Sequence, residues 1–485
     1  MKTKYIFVTG GIVSGIGKGT TVASLGRLFL SRGKEVALVK IDPYLNRDAG
    51  TMNPFQHGEV FVTEDGTETD LDLGHYERFL NKNLNRLSNF TTGTVYETVT
   101  KRERQGAFLG KTIQIIPHIT DEIKRRIREA GQPNKADLVI CEIGGTIGDI
   151  EGLPFLEAIR QMKKDVGAEN VAYIHVVKID YIYPSGEAKT KPIQHSVQAL
   201  RGLGIQPDIL VTRCRKNIPP EIKEKITLFC GIGVEDVIEA PNMSSIYAIP
   251  LALETNGLGK AVEKILGLPT RQPKLKDWSS MINKLKKPQG EVTIALIGKY
   301  LDHPDAYISV VEALHHGGIA NQVKIKLKAV DSEKIKEGNL SKFFQNVNGV
   351  VVPGGFGIRG IEGKVRAIQY ARENKIPFLG LCLGLQTAVI EYARHKIGLK
   401  GANSTEFDAA TPHPVIDILP EQKKVRKMGG TMRLGSYSAH LKPHSLIANL
   451  YQNELISERH RHRFEVNPYY HKILNQNGLI FSGTS

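Results

Sequence analysis

The 485-residue sequence has few cysteines, a single tryptophan and no long apolar run. Its four cysteines, Cys141, Cys214, Cys230 and Cys382, lie far apart and form no CxxC pair. This spacing argues against a disulfide framework or a structural zinc site and favours a reducing compartment. No uninterrupted apolar stretch approaches the length of a membrane span, and residues 1–9 contain too few apolar residues for a signal peptide. We therefore expect a cytoplasmic protein with no membrane partner.

Basic residues outnumber acidic ones by 65 to 50, which gives a net charge of +15. They are scattered along the chain, without the long basic run or aromatic-interleaved patch that is typical of nucleic-acid binding. We expect local basic pockets for phosphorylated small molecules and no nucleic-acid partner. A chain of this length exceeds what one hydrophobic core supports, so two or three domains are expected.

Short apolar runs alternate with longer amphipathic stretches in both halves, a pattern typical of parallel α/β sheets. The predicted strands are residues 5–9, 35–40, 136–142, 171–178 and 208–212, then 292–298, 324–330, 349–352 and 377–381. The basic, proline-containing stretch 267–290 is the best linker candidate. The sequence therefore predicts one α/β domain at 1–266, a linker at 267–290 and a second α/β domain at 291–485.

A glycine-rich loop at residues 9–20 reads TGGIVSGIGKGT. It follows a predicted strand and opens a helix that we expect to end at Ser31, where Arg32 and Gly33 stop it. A strand, loop and helix in this order place backbone N–H groups and the Lys18 ammonium around phosphate oxygens. Gly19 stands where the usual phosphate loop has Ser or Thr, so a plain strand-to-helix turn remains the alternative.

Carboxylates follow two of the apolar segments. Glu142 ends a predicted parallel strand, at the edge where open α/β sheets bind ligands. Asp70 and Asp72 share one face if their segment is extended. Each could hold Mg²⁺ against nucleotide phosphates, because that ion takes one or two carboxylates plus phosphate oxygens. Taken alone, each is more simply interpreted as a surface carboxylate.

Six blocks of the first half resemble the CTP synthase family and occur in the family's order. They are residues 39–46, 50–52, 57–62, 70–79, 142–151 and 189–196, which read VKIDPYLN, GTM, HGEVFV, DLDLGHYERF, EIGGTIGDIE and KTKPIQHS. The resemblance implies a P-loop-like synthase domain that phosphorylates UTP at O4 with ATP. Ammonia then displaces the phosphate and gives CTP.

The resemblance also assigns site residues by motif position. Phosphoryl transfer needs positioning and charge neutralisation, so Lys18, Lys40 and a magnesium ion on Asp72 and Glu142 are the expected parts. The residues expected around ATP are Gly15, Ile16, Gly17, Lys18, Gly19, Thr20, Asp72 and Met243. Those expected around UTP or CTP are Ser14, Asp149, Ile150, Glu151, Lys189, Thr190, Lys191, Pro192, Ile193, Gln194 and Lys225.

Three positions depart from the family pattern: Arg47, Phe55 and Ile193. Ile193 stands where the family usually has threonine. Loss of a hydroxyl beside a bound triphosphate removes a hydrogen bond worth about 1 kcal/mol. We therefore expect altered UTP affinity or altered feedback by CTP.

The second half contains a cysteine at a predicted strand-to-helix turn. Gly380 and Gly384, two positions on either side of Cys382, allow a tight turn, and the helix N-terminus favours the thiolate. A buried structural cysteine is the alternative, which the flanking glycines disfavour. Residues 352–360, 402–408, 429–435 and 459–465 resemble a class I glutamine amidotransferase domain in its CTP synthase form.

This second resemblance implies that residues 352–360 supply backbone donors to an oxyanion. The residues expected around glutamine are Gly355, Leu383, Gly384, Leu385, Gln386, Glu406 and Arg463, and Leu385 replaces a common methionine. In the family, a His-Pro-Glu type segment downstream of 459–465 completes a Cys-His-Glu triad, and the sequence reaches Ser485 without it. From the sequence alone we expect a poor glutaminase that uses free ammonia.

Two other interpretations remain open at this point. One is an amidotransferase of the cobyric acid synthase type, which amidates carboxylates; residues 70–79 and 189–194 disfavour it. The other is a partition-type ATPase or assembly scaffold, which has no need of Asp72 and Glu142 beside Lys40. The CTP synthase resemblance further implies a homotetramer, feedback inhibition by CTP and activation of the glutaminase by GTP.

Overall fold

The computed structural model describes residues 2–182, 184–301, 303–423, 425 and 429–485. The chain forms two compact units, Met1–Asp48 with Asp72–Ile282 and Ala49–Leu71 with Asn283–Ser485. The predicted domain limits differ from these units in two respects. Residues 49–71, assigned from sequence to the first domain, pack in the second unit, and the predicted linker contains the helix Lys276–Lys286.

A seven-stranded parallel sheet forms the centre of the first unit. In order across the sheet, its strands are Val237–Pro241, Ile209–Cys214, Val171–Lys178, Lys4–Gly10, Leu138–Ile143, Val36–Asp42 and Asn89–Thr91. The five strands predicted in the first half are confirmed, because strands covered on both faces read as continuous apolar runs. The two edge strands escaped prediction because their short runs carry polar residues.

Helices and one hairpin complete the first unit. The helices are Lys18–Ser31, Asp72–Leu80, Thr92–Arg104, Thr120–Ala130, Leu153–Val166, Lys191–Gly202, Pro220–Cys230, Ile249–Thr255 and Leu258–Ile265, followed by Lys276–Lys286 across the unit boundary. The hairpin pairs Asp180–Ile182 with Glu187–Lys189. The first helix ends at Ser31 as predicted, and Gly33 after it has a φ of 74°, which glycine adopts without strain.

The second unit contains a four-stranded parallel sheet and several smaller sheets. The parallel strands are Val323–Asp331, Gly290–Gly298, Gly349–Val352 and Phe378–Gly380, all four of which were predicted. The smaller sheets contain Asn403–Ser404, Pro414–Ile418 and Phe464–Val466, then Leu455–His462, Arg433–Leu441 and Gly483–Thr484, and the hairpin Phe61–Val62 with Glu68–Thr69. The helices are Pro54–His57, Ile308–Ala320, Leu340–Phe344, Ile361–Glu373, Leu383–Tyr392, Leu446–Tyr451 and His471–Gln476.

Both units have the predicted α/β architecture, each with its own apolar core. In the first, Phe7, Val39 and Val139 belong to one buried cluster that extends across the sheet. In the second, Ala295, Val350 and other strand residues pack against the helix Ile361–Glu373. Within the part of the chain that the structure describes, we find no helix with the length and hydropathy of a membrane span.

Candidate functional sites

Two cationic side chains crowd the phosphate loop at residues 10–17. A Cβ atom added at Gly17 would lie 2.7 Å from Nη1 of Arg213, and one added at Gly10 would lie 2.8 Å from the Lys18 side chain. Gly17 also has a φ of 94°. The loop therefore uses glycine where Lys18 and Arg213 approach its backbone, and it presents positive charge at the start of a helix.

Lys40 lies among three carboxylates in the first unit. In the parallel strand pairing its register partner is Glu142. The Lys40 ammonium forms an ion pair with Asp72, and lies 3.4 Å from Oδ1 of Asp42 and 3.7 Å from Oε1 of Glu142. The lysine itself is buried. The structure thus brings together Lys40, Asp72 and Glu142, which the resemblance grouped, and adds Asp42.

Asp72 reaches this cluster from the first turn of a helix. The interpretation of Asp70 and Asp72 as two residues on one face of an extended segment is wrong, because the helix Asp72–Leu80 begins at Asp72. A carboxylate in a first turn is stabilised by the helix dipole. Asp70 belongs to the second unit and Asp72 to the first.

Burial and mutual charge set the protonation of the cluster. Burial raises the pKa of Glu142 to about 7, with Asp72 adding to the effect and Lys40 opposing it. Burial also acts to raise the pKa of Asp72, but Lys40 outweighs it and holds that pKa below its usual range. The pKa of Lys18 is lowered, chiefly by burial. The Tyr76 hydroxyl donates a hydrogen bond to Glu142.

The donor set beside the phosphate loop fits a magnesium ion shared with a nucleotide. A Cβ atom added at Gly19 would lie 2.5 Å from Oδ1 of Asp72 and 3.3 Å from Oε2 of Glu142, so the two carboxylates converge over the loop. Among the described residues there is no group of three or more acidic, histidine or cysteine ligands for a metal. Two carboxylates completed by phosphate oxygens are what Mg²⁺ requires.

A cleft of about 240 Å³ adjoins the loop, lined by Val13, Ser14, Gly15, Ile16, Lys178, Ile179, Arg213, Cys214, Arg215 and Asn242. Arg213 donates to the Ile16 carbonyl at 3.2 Å and to Oδ1 of Asn242 at 3.0 Å. No sequence motif indicates a role for Arg213. Its position just after the predicted strand 208–212 could have done so, because α/β sheets bind ligands at the carboxyl ends of their strands. Met243, expected near the ATP base, directly follows Asn242.

The residues expected to hold the uridine nucleotide lie on two loops and a helix start. Thr190 precedes the helix Lys191–Gly202, and Gln194 donates to its Oγ1 at 3.0 Å. The side chain of Ile193 is buried in an apolar cluster. Ile193 therefore packs as a core residue, and the expected change in UTP affinity or in feedback by CTP stays a prediction.

Most of the remaining members of this set are polar, and all of them are at least partly exposed. Asp149 accepts two hydrogen bonds from Thr146, at 2.6 Å from its N–H and 2.9 Å from its hydroxyl, which fixes the turn before Ile150 and Glu151. Lys189 forms an ion pair with Glu187. The other exposed members are Ser14, Ile150, Glu151, Lys191 and Lys225. Their role in nucleotide binding stays a prediction.

Cys382 has the backbone of a nucleophile elbow. It lies between the strand Phe378–Gly380 and the helix Leu383–Tyr392, with φ 51° and ψ −106°, a conformation that costs an L-residue strain. A Cβ atom added at Gly384 would overlap the Val352 carbonyl oxygen, and one added at Gly380 would clash with the backbone of Gly384. The predicted tight turn is confirmed, and both glycines are required by its close packing.

Cys382 is an exposed residue, unlike the other three cysteines, which are buried. Burial of its sulfur raises the pKa, while the Leu383 N–H and the Arg461 charge act to lower it. Its Sγ lies 3.7 Å from the carbonyl oxygen of Arg461. Cys382 therefore lies at the start of a helix with burial acting against its thiolate form.

The expected glutamine site is partly assembled around this turn. Gly355 lies against Leu383 and Lys299, and the Gly357 N–H donates to Oε1 of Glu406 at 2.8 Å. Burial raises the pKa of Glu406. The other members have partners within the unit: Gln386 donates to Phe464, Arg463 donates to Gln422 and Thr431, and Leu385 is half exposed.

Two of the family departures have clear structural settings. Phe55 packs edge-on against Tyr300 with ring centroids 5.0 Å apart, and the Arg359 guanidinium lies 5.6 Å from its ring centroid. Arg47 is exposed and pairs with Glu97 at 3.3 Å. Phe55 and Tyr300 thus form a cluster of two aromatic rings with the Arg359 guanidinium in the second unit.

A buried histidine, His175, links the strand Lys4–Gly10, which precedes the phosphate loop, to the helix Lys191–Gly202. Thr9 Oγ1 lies 2.8 Å from Nδ1 of His175, whose Nε2 lies 2.7 Å from Oγ of Ser196. Burial, with a further contribution from Lys18, lowers the pKa of His175 to about 3. The neutral ring therefore connects two elements that carry predicted site residues, a link that no sequence motif indicates.

This histidine predicts a loss of stability in acid. Below pH 6.5, the ordinary pKa of histidine, the ring binds a proton in the unfolded chain but stays neutral in the folded one. The free energy of unfolding therefore decreases as the pH falls from about 6.5 towards 3. Between pH 6 and pH 4 the wild type should lose roughly 2 to 3 kcal/mol more than His175→Gln. Urea unfolding followed by fluorescence of Trp278, the single tryptophan, measures the difference. Equal pH slopes in the two proteins would contradict it.

Both halves of the chain match known protein families. A family model described as "CTP synthase N-terminus" matches residues 4–268, and one described as "Glutamine amidotransferase class-I" matches residues 302–485. A protein of Rippkaea orientalis named "CTP synthase" is 56% identical over 100% of this chain and 88% of its own length. A "CTP synthase" of Thermus thermophilus is 55% identical over 99% of this chain and 88% of its own length.

One solved structure was also similar to part of the chain. It is described as the glutaminase domain of Trypanosoma brucei CTPS with bound acivicin, and is 41% identical in sequence. The match covers 40% of this chain and 74% of that one, with a TM-score of 0.37.

Proposed function

The chain belongs to the CTP synthase family, and from that premise we propose that Lys18, Lys40, Asp72 and Glu142 form its phosphoryl-transfer site. The family membership makes the chain a glutamine-hydrolysing ligase that aminates UTP to CTP with ATP and Mg²⁺. The resemblance stated from the sequence is thereby confirmed, and the carboxylate-amidating and scaffold alternatives are not favoured. The observation that supports the proposed site is the burial of Lys40 among three carboxylates in the unit that carries the phosphate loop.

The proposed chemistry has two steps at this site. The O4 atom of UTP attacks the γ-phosphorus of ATP, the bond to the β-phosphate oxygen breaks, and ADP leaves. Ammonia then adds at C4, the C4–O bond breaks, and inorganic phosphate carries away the former O4. Lys18 and Lys40 neutralise charge on the transferring phosphoryl oxygens, because phosphoryl transfer depends on positioning and electrostatics.

Asp72 and Glu142 are the residues that hold magnesium in this proposal. When bound, the ion supplies charge neutralisation to the nucleotide phosphates. The Lys40 ammonium holds Asp72 in place through an ion pair, and the Tyr76 hydroxyl orients Glu142 through a hydrogen bond. The proximity of Lys40 also keeps Asp72 ionised, which an oxygen ligand for a divalent cation requires.

Arg213, Met243 and residues 15–20 are proposed to bind the remainder of ATP. The cleft beside the loop has the cationic lining that suits polyphosphate, and Lys178 and Arg215 add to it. Asp149, Glu151, Lys189 and Lys225, with the neighbouring residues of their two blocks, are proposed to hold UTP or CTP. Their support is the accessibility of these polar groups and the motif match.

For the second unit we propose Cys382 as the glutaminase nucleophile. The Cys382 sulfur attacks the glutamine carboxamide carbon, the thiol proton passes to the nitrogen, and the C–N bond breaks to release ammonia. Water then hydrolyses the resulting thioester to glutamate and restores the thiol. The proposed oxyanion donors are the Leu383 N–H at the helix start and the backbone N–H groups near Gly354 and Gly355. The backbone of Gly354 is close to the nucleophile, because a Cβ atom added at Gly354 would lie 3.5 Å from Cβ of Cys382. Glu406 is proposed to bind the glutamine amino group.

Regulation and assembly are finer proposals that rest on family membership. We propose feedback inhibition by CTP at the UTP site, activation of the glutaminase by GTP and a homotetramer. A cytoplasmic location is proposed on the same ground. None of them enters the chemistry above.

The dependence of ATP hydrolysis on UTP tests the proposed function. With ammonium as nitrogen source, ADP should form only when UTP is present, and in equal amount to CTP, because O4 of UTP is the proposed acceptor of the γ-phosphoryl group. Coupled measurement of ADP and CTP provides both quantities. ATP hydrolysis at the same rate without UTP would support a nucleotide switch and contradict the proposed site.

A further inference from the structure

Glu68 is a fully buried carboxylate in the segment 49–71. Its side chain is 0% exposed, and it lies in the two-residue strand Glu68–Thr69. Arg461 Nε donates to Oε1 of Glu68 at 2.8 Å, and the Gly430 N–H donates to Oε2 at 2.9 Å. A buried charge is tolerated only when it is paired and hydrogen bonded. Both carboxylate oxygens are therefore committed to holding chain segments that lie far away in sequence.

Arg461 connects this carboxylate to the cysteine. Its guanidinium, besides binding Glu68, donates to the Gly50 carbonyl at 3.2 Å and lies 5.1 Å from the ring centroid of Phe356, next to Gly355. Its own carbonyl oxygen lies 3.7 Å from Sγ of Cys382. One residue thus has its side chain fixed by Glu68 and its main chain against the nucleophile.

The contact between Sγ and the carbonyl favours one protonation state of the cysteine. A carbonyl oxygen accepts a hydrogen bond and cannot donate one, so it stabilises the thiol and disfavours the thiolate. The thiolate is the reactive form of cysteine. In the described geometry the backbone of Arg461 therefore holds Cys382 in its resting state.

We propose that Glu68 is a positioning residue for Cys382: acting through Arg461, it keeps the thiol against a main-chain carbonyl and so restrains its reactivity. This inference rests on the proposed role of Cys382 as nucleophile. Glu68 belongs to a segment that leads directly into Asp72, the first residue of the helix that contributes to the phosphoryl-transfer cluster.

Two variants release the restraint in different ways. Glu68→Gln removes the charge that holds Arg461. Gly50→Ala leaves every charge in place, but its Cβ would overlap Oε2 of Glu68, so the flexible carboxylate must move. The matched control is Glu263→Gln, which breaks another buried pair, with Arg32 at 3.0 Å, in the first unit. Gly50→Ala keeps the test usable if the loss of the buried charge prevents folding.

The readout is the rate at which iodoacetamide alkylates Cys382 in the intact protein, followed by peptide mass spectrometry. We expect Glu68→Gln to raise this rate about three- to tenfold, because a pKa lowered by half to one unit gives that gain in thiolate. Gly50→Ala should raise it in the same direction, and Glu263→Gln should leave it unchanged. An unchanged pattern of limited proteolysis confirms that the second unit of each variant is folded.

The outcomes separate this inference from the proposed function. If Cys382 reacts at the wild-type rate in both Glu68→Gln and Gly50→Ala, the restraint by Glu68 is wrong and the nucleophile assignment stands. If Cys382 reacts in none of the proteins, the nucleophile assignment itself is overturned, and the inference fails with it. A slower reaction in the two variants would also overturn the proposal, since Glu68 would then activate the thiol.

Discussion

Lys40→Met should lower the turnover of UTP to CTP by about 10³-fold with ammonium as nitrogen source, since loss of one preorganised charge in a transition-state site has effects of this size. The lysine holds Asp72 and lies within 4 Å of two further carboxylates. Without it the cluster repels the phosphates of ATP. Steady-state kinetics with saturating ATP and UTP measures the loss as a fall in kcat.

The effect of this variant on folding is separable from its effect on chemistry. Removal of one partner from a buried charge cluster destabilises by about 3 kcal/mol. The matched control is Lys124→Met, which removes another buried lysine that pairs with two carboxylates, Asp121 at 3.0 Å and Asp165 at 3.1 Å. Because Asp121 and Asp165 are both partly exposed, we expect a smaller loss of stability and near-normal turnover for the control. Equal turnover in the two variants would remove Lys40 from the catalytic site.

Cys382→Ala should lower glutamine-dependent CTP formation by up to about 10³-fold, since removal of a catalytic nucleophile leaves only the binding and oxyanion contributions. Ammonia-dependent formation of CTP should continue, because the phosphoryl-transfer residues belong to the other unit. The two nitrogen sources are compared in parallel assays of the same preparation. The measured quantity is the ratio of the glutamine rate to the ammonium rate.

Cys230→Ala serves as the control for this variant. Cys230 is buried in an apolar cluster and has a pKa raised by burial to about 11, so it is inert at neutral pH. Its replacement should leave the glutamine-to-ammonium ratio unchanged. An unchanged ratio in Cys382→Ala would place the nucleophile elsewhere, whatever the geometry of the elbow.

The parts of the fold that could be predicted are those whose signal is local. The parallel strands read as apolar runs, and the turn at Cys382 was foreseeable because glycines two positions on each side permit the approach of Gly384 to Val352. The helix after the phosphate loop also ended at Ser31 as expected. In each case a few consecutive residues carry the physical constraint.

The contacts that escaped prediction join residues distant in sequence. Glu68 and Arg461 are 393 positions apart, and nothing near either residue indicates the other. The segment 49–71 forms only a four-residue helix and two-residue strands, so its partner is decided by tertiary contacts. Asp72 was placed in an extended segment because alternation of Asp and Leu suggests a strand, whereas the packing of Leu73, Tyr76 and Phe79 makes it a helix.

The candidate site shows the same division. Lys40 and Glu142 were grouped by resemblance, and the strand register that makes them direct partners is visible only in the sheet. Arg213 lies near the end of the strand Ile209–Cys214, which was predicted, but it belongs to none of the blocks that resemble the family. His175 and its two hydrogen-bond partners Thr9 and Ser196 come from three separate segments, so their network has no sequence signature.

Isotope transfer from UTP to phosphate tests the central claim most directly. UTP labelled with ¹⁸O at O4 is incubated with the protein, ATP, Mg²⁺ and ammonium, and the inorganic phosphate is analysed by mass spectrometry. If O4 attacks the γ-phosphorus and later leaves with it, each phosphate released with CTP carries one ¹⁸O atom. Unlabelled phosphate formed in equal amount to CTP would show that ATP hydrolysis and amination are separate events, and would contradict the account.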